Sequence, residues 1–486
     1  MKHTPNSDIG VIGLAVMGQN LVLNMNDHGF TVTVHNRTLS KMNDFIDGPA
    51  RNTSIRGSRS MKELVSTLKR PRRVMLMVKA GPTVDQTIAT LSPLLEAGDI
   101  IIDGGNSYYH DTIRRTNELE DQGLRFIGTG VSGGEEGARI GPSIMPGGSA
   151  EAWPHVQSIF QSIAAKVDHS PCCEWLGPNG AGHFVKMVHN GIEYGDMQII
   201  AESYDMMKNL LGLSNSQMQD IYAEWNNGKL DSYLIEITRD ILGYQDQDGH
   251  YVLDSILDSA GQKGTGKWTV ASSLDQGVPL TLISEAVFSR FLSALKSERT
   301  LASQILASPS AVFPPSEATE LVRDLHDAVY AAKIMSYAQG YMLLHAAAQK
   351  YEWPLDYGSI ALMWRGGCII RSAFLGKIKD AFNTNPDLKN LLHAPYFTHA
   401  LANAQRAWRR VVAISATYGI PTPAISAALS FYDGYRQPTG PANLIQAQRD
   451  YFGAHTYERT DQAPGIFFHT NWTGKGGAVT AGSYDA

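Results

Sequence analysis

The chain has 486 residues, 43% of them hydrophobic and 18% charged, which is enough apolar material for a sizeable core and excludes a wholly disordered chain. Forty-one Lys and Arg against 47 Asp and Glu leave a net charge of −6, so there is no general electrostatic drive toward nucleic acid or an anionic membrane. At about 150 residues per domain, two or three domains are expected.

Met1 to Asp8 is short and polar and lacks the apolar centre of a signal peptide. No run approaches the ~18 apolar residues of a membrane span, so a soluble, cytosolic chain is expected. Ile9–Ile12 is the first strand candidate. It leads into Gly13-Leu14-Ala15-Val16-Met17-Gly18, the glycine fingerprint of a dinucleotide site with alanine in the middle place. Gly13 allows the tight turn, Ala15 lets backbone approach a pyrophosphate, and Gly18 lets the helix pack on the strand. The anion then meets free N–H groups at the positive end of the helix.

Thr31–His35 is the second strand candidate, followed by Asn36-Arg37-Thr38. An NAD site would place Asp or Glu here for the ribose 2′-hydroxyl. A guanidinium and two small polar side chains favour the 2′-phosphate of NADP instead. Arg51 to Arg73 carries six Arg and two Lys and reads as a solvated face. The third and fourth candidates, Val74–Val78 and Ile100–Asp103, end in Val78-Lys79-Ala80-Gly81 and Gly104-Gly105-Asn106-Ser107. Ligands bind at such strand ends, so Asn106 is a candidate for both nicotinamide ribose and substrate, with a turn-forming role as the alternative.

Arg125–Thr129 is the fifth strand candidate. After it, Val131-Ser132-Gly133-Gly134-Glu135-Glu136-Gly137-Ala138 offers a hydroxyl and backbone N–H groups suited to a carboxylate. The alternation of strands and amphipathic helices over about 180 residues predicts a Rossmann-type α/β domain. Three cysteines, Cys172, Cys173 and Cys368, are too few for a disulfide framework and read as core filler in a reducing compartment.

From residue 181 strand signals nearly vanish and long helical patterns take over, as in Ile283–Leu301 and Glu317–Lys350. The most informative stretch is Gly182 to Gly195. Lys186, His189, Asn190 and Glu193 stand at i, i+3, i+4 and i+7 and share one helix face. Val185, Met187, Val188, Ile192, Met197, Ile199 and Ile200 surround them, so the helix should be buried. Four polar residues in one buried stripe are costly unless they line a site. A desolvated lysine can be a neutral general base near pH 7, and a glutamate in a dry pocket can keep its proton and act as an acid. Gly191 and Gly195 call for close-packed neighbours. Val185 to Tyr194 can be laid on Ala332 to Tyr341 with lysine and tyrosine coinciding; from the residues alone, chance likeness of helical composition outweighs a duplication.

Gln262-Lys263-Gly264-Thr265-Gly266-Lys267-Trp268 is a glycine-spaced loop suited to a phosphate, without the spacing of a nucleoside triphosphate loop. Arg290, Arg449 and His455 are further anion-binding candidates. No His, Cys and Asp cluster shows metal-ligand spacing, so no metal is expected. From Arg436 the texture changes again, with Pro438, Gly440, Pro441 and many glycines. It reads as a poorly packed tail with one helix, Ala442–Tyr451. The expected domains are therefore residues 1–180 (Rossmann), 181–436 (all helical) and 437–486 (tail).

Taken together, the fingerprint, Asn36-Arg37-Thr38, the Val131–Ala138 and Lys263–Trp268 loops, the Lys186–Tyr194 helix and Arg449-Asp450-Tyr451-Phe452-Gly453-Ala454-His455 resemble the decarboxylating 6-phosphogluconate dehydrogenases, in order over nearly the whole chain. The resemblance implies an NADP-binding Rossmann domain, a large helical domain built by duplication, and a tail that reaches the partner subunit of a homodimer. It implies oxidative decarboxylation of 6-phosphogluconate in the pentose phosphate pathway, without a metal. Lys186 would be the base and Glu193 the acid. Asn106, Ser132, Gly133, Gly134, His189, Asn190, Tyr194, Lys263, Thr265 and Arg290 would surround the substrate, with Arg449 and His455 supplied by the other subunit. NADP contacts would fall on Gly13 to Gly18, Asn36 to Thr38, Val78, Lys79, Ala80 and Asn106. Cys172, Cys173 and the residues after Trp472 have no part in it. A reductase of another β-hydroxyacid would share the fingerprint and the lysine but would not need the Lys263 loop or the Arg449–His455 segment. A non-catalytic NADPH sensor would not need the polar stripe.

Overall fold

The computed structural model describes residues 6–476 and 480–481. Most of the N-terminal stretch read for a leader, and part of the segment after Trp472, lie outside the described residues. Residues 1–428 form one compact unit and residues 429–486 a second.

The first unit is built on a seven-stranded sheet of order β3-β2-β1-β4-β5-β6-β7. Its strands are β1 (Ile9–Ile12), β2 (Val32–His35), β3 (Arg56–Gly57), β4 (Arg73–Leu76), β5 (Ile100–Asp103), β6 (Arg125–Ser132) and β7 (Ser143–Gly148). β1 to β6 pair in parallel, and β7 returns antiparallel to β6. Helices α1 (Val16–Asp27), α2 (Leu39–Asp47), α3 (Met61–Thr67), α4 (Pro82–Leu91), α5 (Tyr109–Glu120), α6 (Gly134–Ile140) and α7 (Trp153–Ile163) join them. Ile100 and Ile102 point into one core and Ile101 into the other. This alternation is what a parallel sheet covered on both faces requires.

Two strands of this sheet escape the sequence pattern. β3 is two exposed residues at the edge, too short for a hydrophobic alternation. β7 reads Ser-Ile-Met-Pro-Gly-Gly, and Pro146 and its glycines are turn chemistry; proline is tolerated because β7 is an edge strand. β6 also runs three residues past its expected end and carries Ser132 on its last position. Most of the basic stretch is exposed, but Arg72 is largely buried and pairs with Asp99 at 2.7 Å.

The hairpin β8 (Lys166–Val167) and β9 (Ser170–Pro171) leads to α8 (Ala181–Asp205). Ten helices follow: α9 (Asn215–Asn226), α10 (Tyr233–Gly243), α11 (Thr265–Asp275), α12 (Thr281–Ala294), α13 (Lys296–Ile305), α14 (Ala318–Tyr351), α15 (Tyr357–Met363), α16 (Leu375–Thr384), α17 (Pro395–Tyr418) and α18 (Pro423–Tyr435). The first turn of α8 is pressed onto the sheet. A Cβ at Gly182 would lie 2.4 Å from Gly128 O and 2.5 Å from Gly147 N. That contact ties the sheet and the helices into one body. The glycines of α8 have the neighbours they call for: a Cβ at Gly191 would lie 2.6 Å from Thr269 Cγ2, and one at Gly195 2.5 Å from Ser336 Oγ. α8 is buried along most of its length, with Met197 an exposed exception. Cys172, Cys173 and Cys368 are buried and free.

The second unit holds α19 (Ala442–Gly453) and an antiparallel pair, β10 (Tyr457–Glu458) and β11 (Phe467–Phe468). It is more ordered than its composition suggests, for a reason developed below.

No helix among the described residues is long and apolar enough to cross a membrane.

Candidate active site

The dinucleotide turn has the geometry its glycines imply. Gly13 has φ +105°, and a Cβ there would lie 2.4 Å from Met77 O. A Cβ at Gly18 would lie 2.2 Å from Gly13 O, so both positions admit only glycine. α1 begins after Ala15 with no side chain capping its N-terminus, which leaves its first N–H groups open to an anion. Asn36 Oδ1 accepts from Leu14 N at 3.1 Å, and Asn36 Nδ2 donates to Thr38 O at 2.9 Å. The end of β2 is thereby pinned against the fingerprint. Arg37 is exposed beside it, with no salt bridge among the described residues. A phosphorylated dinucleotide fits this cradle: small backbone turn, open helix end and a guanidinium within the same loop cluster. Val78, Lys79 and Ala80 follow β4 at the same edge of the sheet.

A buried arginine joins that edge to Asn106. Arg115, 1% exposed, donates to Gly81 O at 3.1 Å, to both carboxylate oxygens of Asp85 at 2.8 and 3.0 Å, and to Asp103 Oδ2 at 3.4 Å. Asp103 in turn accepts from Gly105 N at 3.1 Å and Ser107 Oγ at 2.6 Å. The loop carrying Asn106 is thus held through the carboxylate at the end of β5. Sequence reading passed over Arg115 because a lone arginine in an amphipathic helix looks like any solvated charge.

α8 brings its polar stripe to the sheet. Lys186 is 5% exposed. Its Nζ donates to Asn190 Oδ1 at 2.7 Å and lies 3.1 Å from His189 Nδ1. His189 Nε2 is 3.2 Å from Ser132 Oγ, and Glu193 stands 3.8 Å from His189 Nδ1. Burial lowers the Lys186 ammonium below the ordinary lysine value, against the opposing pull of Glu193 and Cys368. Burial also drives His189 well below its usual value, with the Lys186 charge adding to the effect, so its imidazole is neutral. Glu193 is pushed upward by burial; Lys186 and Arg290 act against this, and Asp196 adds to it. Two groups of opposite type are therefore moved toward each other, as an acid–base pair requires.

Gly130 on β6 makes room for the lysine. A Cβ there would lie 2.2 Å from Lys186 Cβ and 2.4 Å from Cγ. Sequence reading ended the strand at Thr129, because Gly128, Gly130, Ser132, Gly133 and Gly134 look like turn chemistry. Behind Glu193, Asp196 accepts from Lys333 Nζ at 2.5 Å, both side chains being almost fully buried. α8 and α14, which carry the two lysines of the possible repeat, pack on one another through this pair.

Asn106, Ser107, His183, Lys186, Met187, Asn190, Thr265 and Trp268 line one small cavity. Trp268, Ser107 and Met187 were not singled out from sequence. Gly264 has φ +99° and precedes the first turn of α11, which starts at Thr265. Lys263 is exposed in front of it. Tyr194 lies against Gly266, and the Arg290 guanidinium sits 3.5 Å from the Tyr194 ring centroid. Gly133, in the left-handed region, begins α6 beside Ser132. Arg449 and His455 belong to the second unit, where Arg449 donates to Gln446 Oε1 at 2.9 Å. One Asp/His group does come together, contrary to the spacing argument: Asp246, Asp248 and His250 meet in an exposed loop. There Asp246 Oδ1 accepts the backbone N–H of Asp248 and of His250, which is loop geometry.

Residues 8–177 match the family model of the NAD binding domain of 6-phosphogluconate dehydrogenase, and residues 182–472 match that of its C-terminal domain. The decarboxylating 6-phosphogluconate dehydrogenase of Cunninghamella elegans is 62% identical over 481 residues, 99% of each chain. That of Homo sapiens is 60% identical over 481 residues with the same coverage. Among solved structures, Plasmodium falciparum 6-phosphogluconate dehydrogenase superposes with a TM-score of 0.92 at 43% identity, over 96% of this chain and 100% of that one. It is described in its apo form, with its cofactor NADP+ and with its substrate 6-phosphogluconate.

Proposed function

The chain belongs to the 6-phosphogluconate dehydrogenase family, and we propose that Lys186 and Glu193 divide the proton transfers of its reaction. That reaction is the oxidative decarboxylation of 6-phospho-D-gluconate to D-ribulose 5-phosphate and CO2. NADP, when bound, accepts the hydride that leaves C3 of the sugar acid. Lys186, in its neutral form, takes the C3 hydroxyl proton as that hydride leaves. The product of this step is a 3-keto acid, whose carboxylate lies β to the new carbonyl. The Lys186 ammonium, now protonated, faces that oxygen and stabilises the negative charge that gathers on it as CO2 departs. Glu193 then protonates the enediol at C1. Asn190 and His189 orient the amine, and both are compatible with a neutral lysine because Asn190 offers an acceptor and no charge. The observation that carries this reading is a desolvated lysine at the wall of the cavity shared by Asn106 and Thr265.

The ends of the substrate have different partners. Ser132, Gly133 and Gly134 suit its carboxylate. Tyr194, Lys263, Thr265 and Arg290 suit its phosphate, and Arg449 and His455 complete that end from the partner subunit of a homodimer. Support for the dimer comes from exposed apolar side chains: Phe288, Phe291 and Leu292 on α12, and Leu444, Ile445, Tyr451 and Phe452 in the tail. Surface of this kind marks association sites. The proposed domain limits are 1–180, 181–436 and 437–486, with α8 starting at Ala181 and α18 ending at Tyr435. A cytoplasmic location suits three free cysteines and an NADP-linked reaction.

The direct test follows NADPH absorbance with purified protein. Formation with 6-phosphogluconate and none with gluconate, which lacks the phosphate, is expected. Equal rates with both would overturn the assignment of the phosphate end. The cofactor end has its own test. Arg37→Ala removes a charge-assisted contact worth about 1.5–3 kcal/mol, so the KM for NADP should rise on the order of ten- to hundredfold while that for NAD hardly changes. Equal effects on the two cofactors would remove the 2′-phosphate assignment.

A further inference from the structure

We propose that Asp450 is the positioning residue that sets the geometry of Arg449 and His455 and thereby the affinity for the sugar phosphate. The proposal rests on the reading of those two residues as substrate ligands.

The described residues after Tyr435 lack an apolar centre. Beyond Tyr435, the buried residues among those described are Asp450, fully enclosed, and Thr456. A carboxylate occupies the middle of the segment. A carboxylate at such a place is costly unless its lone pairs are all used, and here they are. Oδ1 accepts from Thr456 N at 3.0 Å and from His469 Nδ1 at 2.9 Å. Oδ2 accepts from Thr470 N at 3.0 Å and from Trp472 Nε1 at 2.8 Å. One side chain therefore joins the end of α19, the turn that follows it, and the returning chain after β11. Four charge-assisted hydrogen bonds do the work that a hydrophobic core does elsewhere.

The two ligand candidates hang on this frame. Arg449 precedes Asp450 in the chain, and its guanidinium donates to Gln446 Oε1. The amide of Gln446 also donates to Thr456 O, so Arg449 is tied to the same turn. His455 lies between Ala454 and Thr456, at φ 51° and 59°. Two side-chain-bearing residues of this kind flanking one histidine are held by their surroundings: Ala454 N donates to Asp450 O and Thr456 N to the Asp450 carboxylate. The His455 ring lies against Gly453, where a Cβ would come within 2.5 Å of Nε2.

Asp450→Asn keeps the shape, removes the charge, and turns an N–H group toward two of the four donors. The KM for 6-phosphogluconate should rise on the order of tenfold, with kcat and the KM for NADP within about twofold of wild type. Amide hydrogen exchange over residues 454–472 should accelerate. Adding Arg449→Ala should raise the KM no further than Arg449→Ala does alone, because both remove one contact. Unchanged exchange, a fall in kcat at constant KM, or additive effects would overturn the proposal. If Arg449→Ala alone leaves the KM unchanged, the substrate role of the tail fails and the positioning role falls with it. Faster exchange in Asp450→Asn would then still be seen, which separates that failure from a failure of the frame. Should Asp450→Asn yield no soluble enzyme, Trp472→Phe and His469→Gln each remove one donor. A smaller rise in KM without loss of kcat is expected for both, and no rise in either would overturn the proposal.

Discussion

Lys186→Met is expected to lose NADPH formation by a factor on the order of 10² to 10⁴, the range that a positioned general base supplies. Methionine keeps the unbranched apolar stem and lacks only the terminal amine, so the stem still fits beneath Gly130 and the fold should survive. NADPH binding, followed by fluorescence, should remain measurable because the fingerprint and Arg37 lie elsewhere. Near wild-type turnover would sink the mechanism. The intact enzyme should show a matching pH profile. On the proposed mechanism Lys186 acts as the neutral amine, and burial lowers its pKa, so the acid limb of kcat/KM should rise at lower pH than an ordinary lysine allows. Glu193 acts as the protonated acid, and burial raises its pKa, so its proton is kept to higher pH than an ordinary glutamate allows and is lost on the alkaline limb. Glu193→Gln cannot deliver a proton, and it should slow protonation of the enediol more than hydride transfer.

Mixed dimers, assayed at 6-phosphogluconate well below the KM of Arg449→Ala, should recover activity that neither parent shows at that concentration. Lys186→Met homodimers lack the base, and Arg449→Ala homodimers lack a phosphate ligand. If Arg449 crosses to the partner, a heterodimer holds one site with both residues intact and one site with neither. About half the wild-type activity per dimer is expected, since a two-fold assembly has two equivalent sites. Differently tagged chains, co-expressed and purified over both tags, provide the heterodimer. The physical ground is the state of the tail: Tyr451 and Phe452 are exposed next to the charged residues that would enter the site. A polar frame around Asp450 can shape this segment but cannot by itself hide those rings. A heterodimer as inactive as its parents would mean that the tail serves its own subunit.

What could be read from sequence was whatever depends on local periodicity. The turn from Gly13 to Gly18 declares itself through glycines at fixed offsets. The stripe of Lys186, His189, Asn190 and Glu193 does so through helical spacing, and both are realised in three dimensions. What stayed hidden depends on partners far along the chain. β7 was invisible because an edge strand tolerates the proline and glycines that otherwise signal a turn. Arg115 became legible only once Gly81, Asp85 and Asp103 were seen to converge on it. The order of the tail was missed for a related reason: its centre is a charged residue, and hydrophobic patterning cannot reveal a core made of hydrogen bonds.

Gly130 carries a consequence for heredity. The stem of Lys186 already fills the space that any side chain at this strand position would need, with the first carbon only 2.2 Å away. Every missense allele at the codon therefore puts atoms into the volume of the lysine proposed as the base. The clash is with the root of that side chain, and α8 is pressed onto the sheet at Gly182, so the crowding is relieved only by moving the lysine together with its helix. If the chain is a homodimer as proposed and the altered subunit still folds, then in a cell carrying one normal and one altered copy it would occupy normal partners. A lesion of this kind would then behave differently in a pedigree from one that simply prevents the protein from accumulating.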